Sequence, residues 1–190
     1  KRKIPKARAK EEVLKDSSLN KYFEAFHHVK IYSDSMQGIA DSLFYSLADS
    51  TIRLHNQPIL WVNENQITGD TIYMHLNNKK AEQLRILNNA MAISPVDSTD
   101  YFNQLKGNSI IVDFMDGKIH KMQTKGSAEN IYFTTDDEGK FIGVNQSNAQ
   151  IITIDFNNDE PVKIVFINQL TGKMTPMFDL PKSELKLNNF

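Results

Sequence analysis

An eight-residue segment of this chain occurs twice. Asn65-Gln66-Ile67-Thr68-Gly69-Asp70-Thr71-Ile72 returns 38 positions later as Asn103-Gln104-Leu105-Lys106-Gly107-Asn108-Ser109-Ile110. Each copy runs into an alternating apolar strand, a polar connector and a second strand. Self-similarity at this period marks a stacked β architecture, in which one unit cannot bury its apolar face without its neighbours. It argues for an elongated surface or groove and against a one-pocket enzyme.

Four copies of a strand–connector–strand unit can be superposed. The inward positions of their first strands are Leu43, Tyr45 and Leu47; Ile72, Met74 and Leu76; Ile110, Val112 and Phe114; and Ile152, Ile154 and Phe156. All are apolar, against a 40% apolar background, while most intervening positions are polar. Period-two alternation of this kind predicts strands with one buried face and one wet face. The second strands supply Ile52 and Leu54, Leu84 and Ile86, Met122 and Thr124, and Ile164 and Phe166, with Thr124 alone breaking the apolar rule. Asn77-Asn78, Asp116-Gly117 and Asn157-Asn158-Asp159 provide turn chemistry in the connectors. Gly38, Gly69 and Gly107 each precede a first strand, where a tight bend or close backbone approach excludes a side chain; Ala149 holds that place in the fourth copy.

The 190 residues suffice for one domain with a real core. A net charge of −1 creates no field that would gather phosphate backbones, so nucleic acid is not an expected partner. Without cysteine there is neither a disulfide framework nor a thiolate metal site. Lys1-Arg2-Lys3-Ile4-Pro5 is basic but leads into no apolar stretch, so any export signal is expected upstream of this segment. Residues 6–26 read as helical, with Leu19, Tyr22, Phe23 and Phe26 spaced as one apolar stripe. The expected organisation is therefore a helical lead-in over residues 1–28 and a β domain over residues 29–190, with Pro176, Met177, Leu180 and Pro181 in an extended tail.

Three segments carry a resemblance to a known family: residues 33–45 (Ser33-Asp34-Ser35-Met36-Gln37-Gly38-Ile39-Ala40-Asp41-Ser42-Leu43-Phe44-Tyr45), Asn56-Gln57-Pro58-Ile59-Leu60-Trp61, and Gln66-Ile67-Thr68-Gly69-Asp70. Over roughly residues 29–180 the chain resembles the OstA-like family, in the style of its larger Bacteroidetes-type members. That family includes the periplasmic lipopolysaccharide-transport protein LptA and the N-terminal domain of the outer-membrane lipopolysaccharide assembly protein. The resemblance implies an all-β, antiparallel, repeat-built β-jellyroll (a β-taco), folded into a V whose apolar inside holds lipid acyl chains. It further implies a periplasmic or outer-membrane-associated, non-enzymatic role in passing lipopolysaccharide or a similar lipid toward the outer membrane, without a cofactor. Domains of this kind can stack end to end.

The lipid-contacting residues expected on this basis are Leu43, Tyr45, Leu47, Leu54, Ile72, Met74, Leu76, Leu84, Ile86, Ile110, Val112, Phe114, Met122, Ile152, Ile154, Phe156 and Phe166. The same stripe is also what a plain hydrophobic core requires. Each buried methylene contributes only about 0.8 kcal/mol, so holding an acyl chain takes several successive rungs, which a repeat supplies. Lys79, Lys80, Lys106, Lys118 and Lys125 are candidates for a basic rim at the mouth.

Other motifs lead elsewhere. His27 and His28 are adjacent, which on an extended strand sends them to opposite faces and away from a shared metal. Residues 155–160 lack the glycine and distal glutamate of a calcium loop and read as a turn. Trp61 is a core or groove-mouth candidate. Nucleophile elbows, zinc-protease helices and phosphate loops are absent from the sequence. A carbohydrate-active β-solenoid would need an acidic ladder, whereas the mid-strand polar positions are Ser46, His75, Asp113 and Asp155. The remaining alternative is an assembly module that pairs its edge strands with other envelope proteins or with itself.

Overall fold

The computed structural model describes residues 21–34, 36–96, 99–136, 138–158, 160–176, 181–188 and 190. Among the described residues twelve strands join in one antiparallel sheet: β1 (Tyr22–Tyr32), β2 (Met36–Ser46), β3 (Thr51–His55), β4 (Ile59–Val62), β5 (Asn65–Thr68), β6 (Thr71–Asn77), β7 (Lys80–Pro95), β8 (Phe102–Met115), β9 (Lys118–Thr135), β10 (Phe141–Asn157), β11 (Glu160–Ile167) and β12 (Thr171–Thr175). Long strands pair with two short ones in succession. β2 meets β4 through its first half and β3 through its second; β7 does the same with β6 and β5, and β10 with β12 and β11. The chain thus runs up and down through nine rungs, each crossing one crease.

The crease is built by a recurring backbone device. Alternate rungs carry two consecutive residues with positive φ: His27-His28, Asn56-Gln57, Asn88-Asn89, Gly126-Ser127 and Asn168-Gln169. On the neighbouring rungs single residues oppose these pairs, so that Asn88 and Asn89 of β7 and Gly126 and Ser127 of β9 both flank Asn108 of β8. Two residues against one is a bulge, and it bends the strand and deepens the local twist. Asparagine suits such positions because its short amide tolerates the left-handed region. Exposed side-chain hydrogen bonds lace the bend: Asn56 Nδ2 donates to Asp41 (3.1 Å), Asn89 Nδ2 to Asp70 (3.1 Å) and Asn168 Nδ2 to Gln150 (3.1 Å).

Small residues allow the fold to close. A Cβ on Gly38 would lie 2.4 Å from Leu60 Cδ2, and one on Gly69 2.4 Å from Ile86 Cγ2. The expected role of these glycines is therefore close approach rather than unusual torsion. Ala149 fits because it stands opposite Ala128.

One expectation is corrected. Tyr22, Phe23 and Phe26 lie in strand β1, not in a helix, and all three are exposed; pairing with β2 along its length overrides the local helical spacing. The remainder of the expected helix, residues 6–20, lies outside the described residues. No helix longer than the 3-10 turn Lys182–Leu185 occurs among the described residues. The connectors are tight hairpins, with Asn78-Lys79 and Asp116-Gly117 both at positive φ. Part of the expected tail, Met177 and Leu180, is likewise outside the described residues. Beyond it Leu185 is buried against Ile131, Phe133 and Val144 on the outer face of the sheet, joined there by Val96, Tyr101, Phe141 and Leu187.

Candidate functional site: a two-walled apolar cleft

The bend folds the sheet into two arms whose inner faces meet in one hydrophobic cluster. Arm A comprises β3, β6, β11 and the matching halves of β1, β2, β7, β8, β9 and β10. Its cross-strand register aligns side chains into rows. Leu43, Leu54, Ile72, Ile86, Ile110, Thr124, Ile152 and Phe166 are successive partners in the row nearest the crease. Tyr45, Ile52, Met74, Leu84, Val112, Met122, Ile154 and Ile164 form the next. Leu76, Phe114 and Phe156 begin the outermost row, opposite Ala81, Ile119 and Pro161.

The seventeen side chains anticipated from the repeat are therefore brought together, with one exception. Leu47 lies in the turn after β2 and is 47% exposed, because β2 ends at Ser46 before the third inward position is reached. First and second strands within each unit do pair with one another, and Thr124 falls among apolar neighbours.

Arm B was not anticipated. Its inner wall includes Met36, Ala40, Leu60, Val62, Ile67, Ala90, Ala92, Leu105, Ala128 and Ala149, all in the cluster. Toward the later rungs the wall becomes polar: Asn130 and Ser147 are partners in register, as are Tyr132 and Asn145. A signal for this wall existed, since the eight-residue repeat has its own alternation (Asn65, Ile67, Gly69; Asn103, Leu105, Gly107) upstream of each first strand.

Between the arms, at their open edge, lies a cavity of about 90 Å³. Met122, Ile154, Phe156 and Pro161 line it from arm A; Asn65, Ala92, Ser94, Asn103, Leu105, Asn130 and Tyr132 line it from arm B. Ligand pockets start at roughly 300 Å³, so the arms are nearly closed on one another. Deep in the fold the rows are core: Leu54, Ile72, Leu84, Ile86, Ile110, Val112 and Ile152 have no exposed surface. Toward the mouth Phe114 and Phe156 are only half-buried, as is Phe166 on the terminal rung.

The expected rim separates. Lys79, Lys80 and Lys118 sit at the arm A tips, the last bonded to Asn158 (3.1 Å). Lys106 pairs with Glu129 (3.6 Å) in the register next to Gly107, and Lys125 borders Gly126 at the crease, so neither is at the mouth. Trp61 faces outward from β4 and donates to Gln66 Oε1 (3.1 Å), away from the cleft. His27 and His28 occupy the outer crease.

No family model matches the chain, and no curated protein matches its sequence. Solved structures do match by shape, among them LptH from Pseudomonas aeruginosa, the LptA-homologous periplasmic component of a lipopolysaccharide transport device. The two superpose with a TM-score of 0.59 at 12% identity, over 74% of this chain and 95% of that one. The fold is LptA-like. At this identity the likeness concerns architecture alone.

Proposed function

We propose that this chain is a non-enzymatic lipid-holding module of the periplasmic lipopolysaccharide-transport type, in the manner of the larger OstA-like proteins. The observation that carries the reading is the continuity of the arm A rows, which cross eight rungs with Thr124 as their one break and reach a mouth lined by Met122, Ile154 and Phe156. An acyl chain entering there would replace arm-to-arm contacts by arm-to-chain contacts. The apolar area kept from water changes little in that exchange, so the arms can part at modest cost. Charged or sugar groups stay outside, near Lys79, Lys80 and Lys118. The LptA-like fold supports the assignment by analogy.

Site-specific photo-crosslinking tests it, because truncating fully buried rows would unfold the protein. A photoreactive side chain at Phe156 or Leu105 should capture labelled lipid A, and one at outward-facing Tyr73 should not. Equal labelling at all three positions would overturn the reading.

A second reading draws on the sheet edges. Among the described residues, β1 pairs only with β2, and β11 and β12 pair only with β10, so both terminal rungs present unpaired backbone groups. An assembly module would use those edges for strand addition. Concentration-dependent self-association without saturable lipid binding would favour it.

A further inference from the structure

The walls of the cleft differ in chemistry. Arm A offers only apolar side chains at the mouth, whereas arm B offers Asn65, Ser94, Asn103, Asn130, Tyr132 and, in register with Tyr132, Asn145. Much of this polar capacity is already oriented. Asn145 Oδ1 accepts from Ser147 Oγ (2.5 Å) and from Asn130 Nδ2 (3.5 Å), which fixes the Asn145 amide, and Asn103 Oδ1 accepts from the Phe133 backbone N–H (2.9 Å). What remains unspent are donors: among the described residues the Tyr132 hydroxyl, the Ser94 hydroxyl and Asn145 Nδ2 donate to no protein group. Burial pushes the Tyr132 phenol above its ordinary value, so it stays protonated and able to donate throughout the physiological range.

A ligand consisting of hydrocarbon alone would cover these donors and leave them unpaired, which disfavours binding. A ligand with a carbonyl next to its chain would satisfy them. We propose that this strip of arm B is a subsite for the amide or ester linkage of an acylated amphiphile, with the chain lying on arm A and the carbonyl oxygen facing Tyr132 and Asn145. This rests on the lipid-holding reading and specifies which lipids that cleft prefers. The polarity gradient along arm B also sets direction: the linkage lies toward the later rungs, where Asn130, Ser147 and Asn145 replace the Leu60, Ile67 and Leu105 of earlier ones.

Displacement of a fluorescent fatty-acid probe by two sugar amphiphiles of equal tail, N-dodecanoylglucosamine (amide-linked) and dodecyl glucoside (ether-linked), tests the proposal on the intact chain. The amide-linked compound should bind roughly 5- to 10-fold more tightly, the value of about one net hydrogen bond. Tyr132→Phe and Asn145→Leu should each shrink that ratio to about 2-fold or less while leaving affinity for the ether-linked compound equal or improved. Tyr132→Phe removes one oxygen and keeps the ring, so it is the variant least able to disturb the fold. Equal affinity of the wild type for both compounds, or a ratio that survives both substitutions, overturns the subsite alone. Failure of the probe and of both compounds to bind overturns the lipid-holding reading and the subsite together.

Discussion

Gly107 and Thr124 stand side by side at the crease, so close that a Cβ on the glycine would lie 2.5 Å from the threonine Cγ2. Nothing about its torsion requires glycine here; the approach does. Gly107→Ala is expected to cost about 1–3 kcal/mol by overpacking. Thr124→Ser, which removes that methyl, should restore part of the loss in the double variant. Urea denaturation of the four proteins in the cycle measures it, and a simple sum of the two single effects would show that the contact is not the cause.

Thr124 also holds a buried hydroxyl without a hydrogen-bond partner, in a row that is otherwise apolar. Desolvation without compensation is unfavourable, and valine has nearly the same shape. Thr124→Val should raise stability by about 1 kcal/mol or more. A lower denaturation midpoint would mean that the hydroxyl is satisfied in solution.

The crease places a glutamine, Gln169, at φ +53° in its last rung. Glutamine has no local side-chain bond that favours this region, so Gln169→Gly should be neutral to about 1 kcal/mol stabilising, and Gln169→Val should cost about 1–3 kcal/mol. The sign difference is read by thermal melting of the two variants.

Tyr132 makes stability depend on alkaline pH. Its folded pKa is raised above the ordinary 10.0 by desolvation, so the folded state retains a proton that the unfolded chain releases. Its contribution is fully present below pH 10.0 and is lost as the pH climbs through the folded value. Denaturation midpoints measured across that range should fall more steeply for the wild type than for Tyr132→Phe.

Gln104 fastens the C-terminal segment to the outer face of arm B. Its amide donates to Leu185 O (2.8 Å) and accepts from Leu187 N (2.8 Å), and the side chain is 2% exposed. Gln104→Leu leaves both backbone groups without partners and should cost about 2–3 kcal/mol. Hydrogen exchange should rise at Leu187 first, with little change at Ile110.

Much of arm A was legible from the residues, because alternation with a period of two fixes which side chains share a face whatever the fold does next. The particular pairing partners, such as Leu43 with Leu54 or Val112 with Met122, were not, since they depend on where each hairpin turns. Leu47 was misplaced because a pattern cannot say where a strand stops. The Tyr22, Phe23 and Phe26 stripe was misread because three aromatic residues fit a helical spacing and a strand alike, and only pairing with β2 decides between them.

The crease and arm B belong to the tertiary structure. Asn88-Asn89 and Asn168-Gln169 look like ordinary polar interruptions in the chain, and they become a hinge line only when opposed by Asn108 and Gln150 on neighbouring strands. Likewise nothing local distinguishes Asn130 or Tyr132 from wet surface. They face Met122 and Phe156 because the sheet bends back on itself. Periodicity dictates a face, since it is a property of one strand; the space between two faces is a property of distant segments, and only their packing determines it.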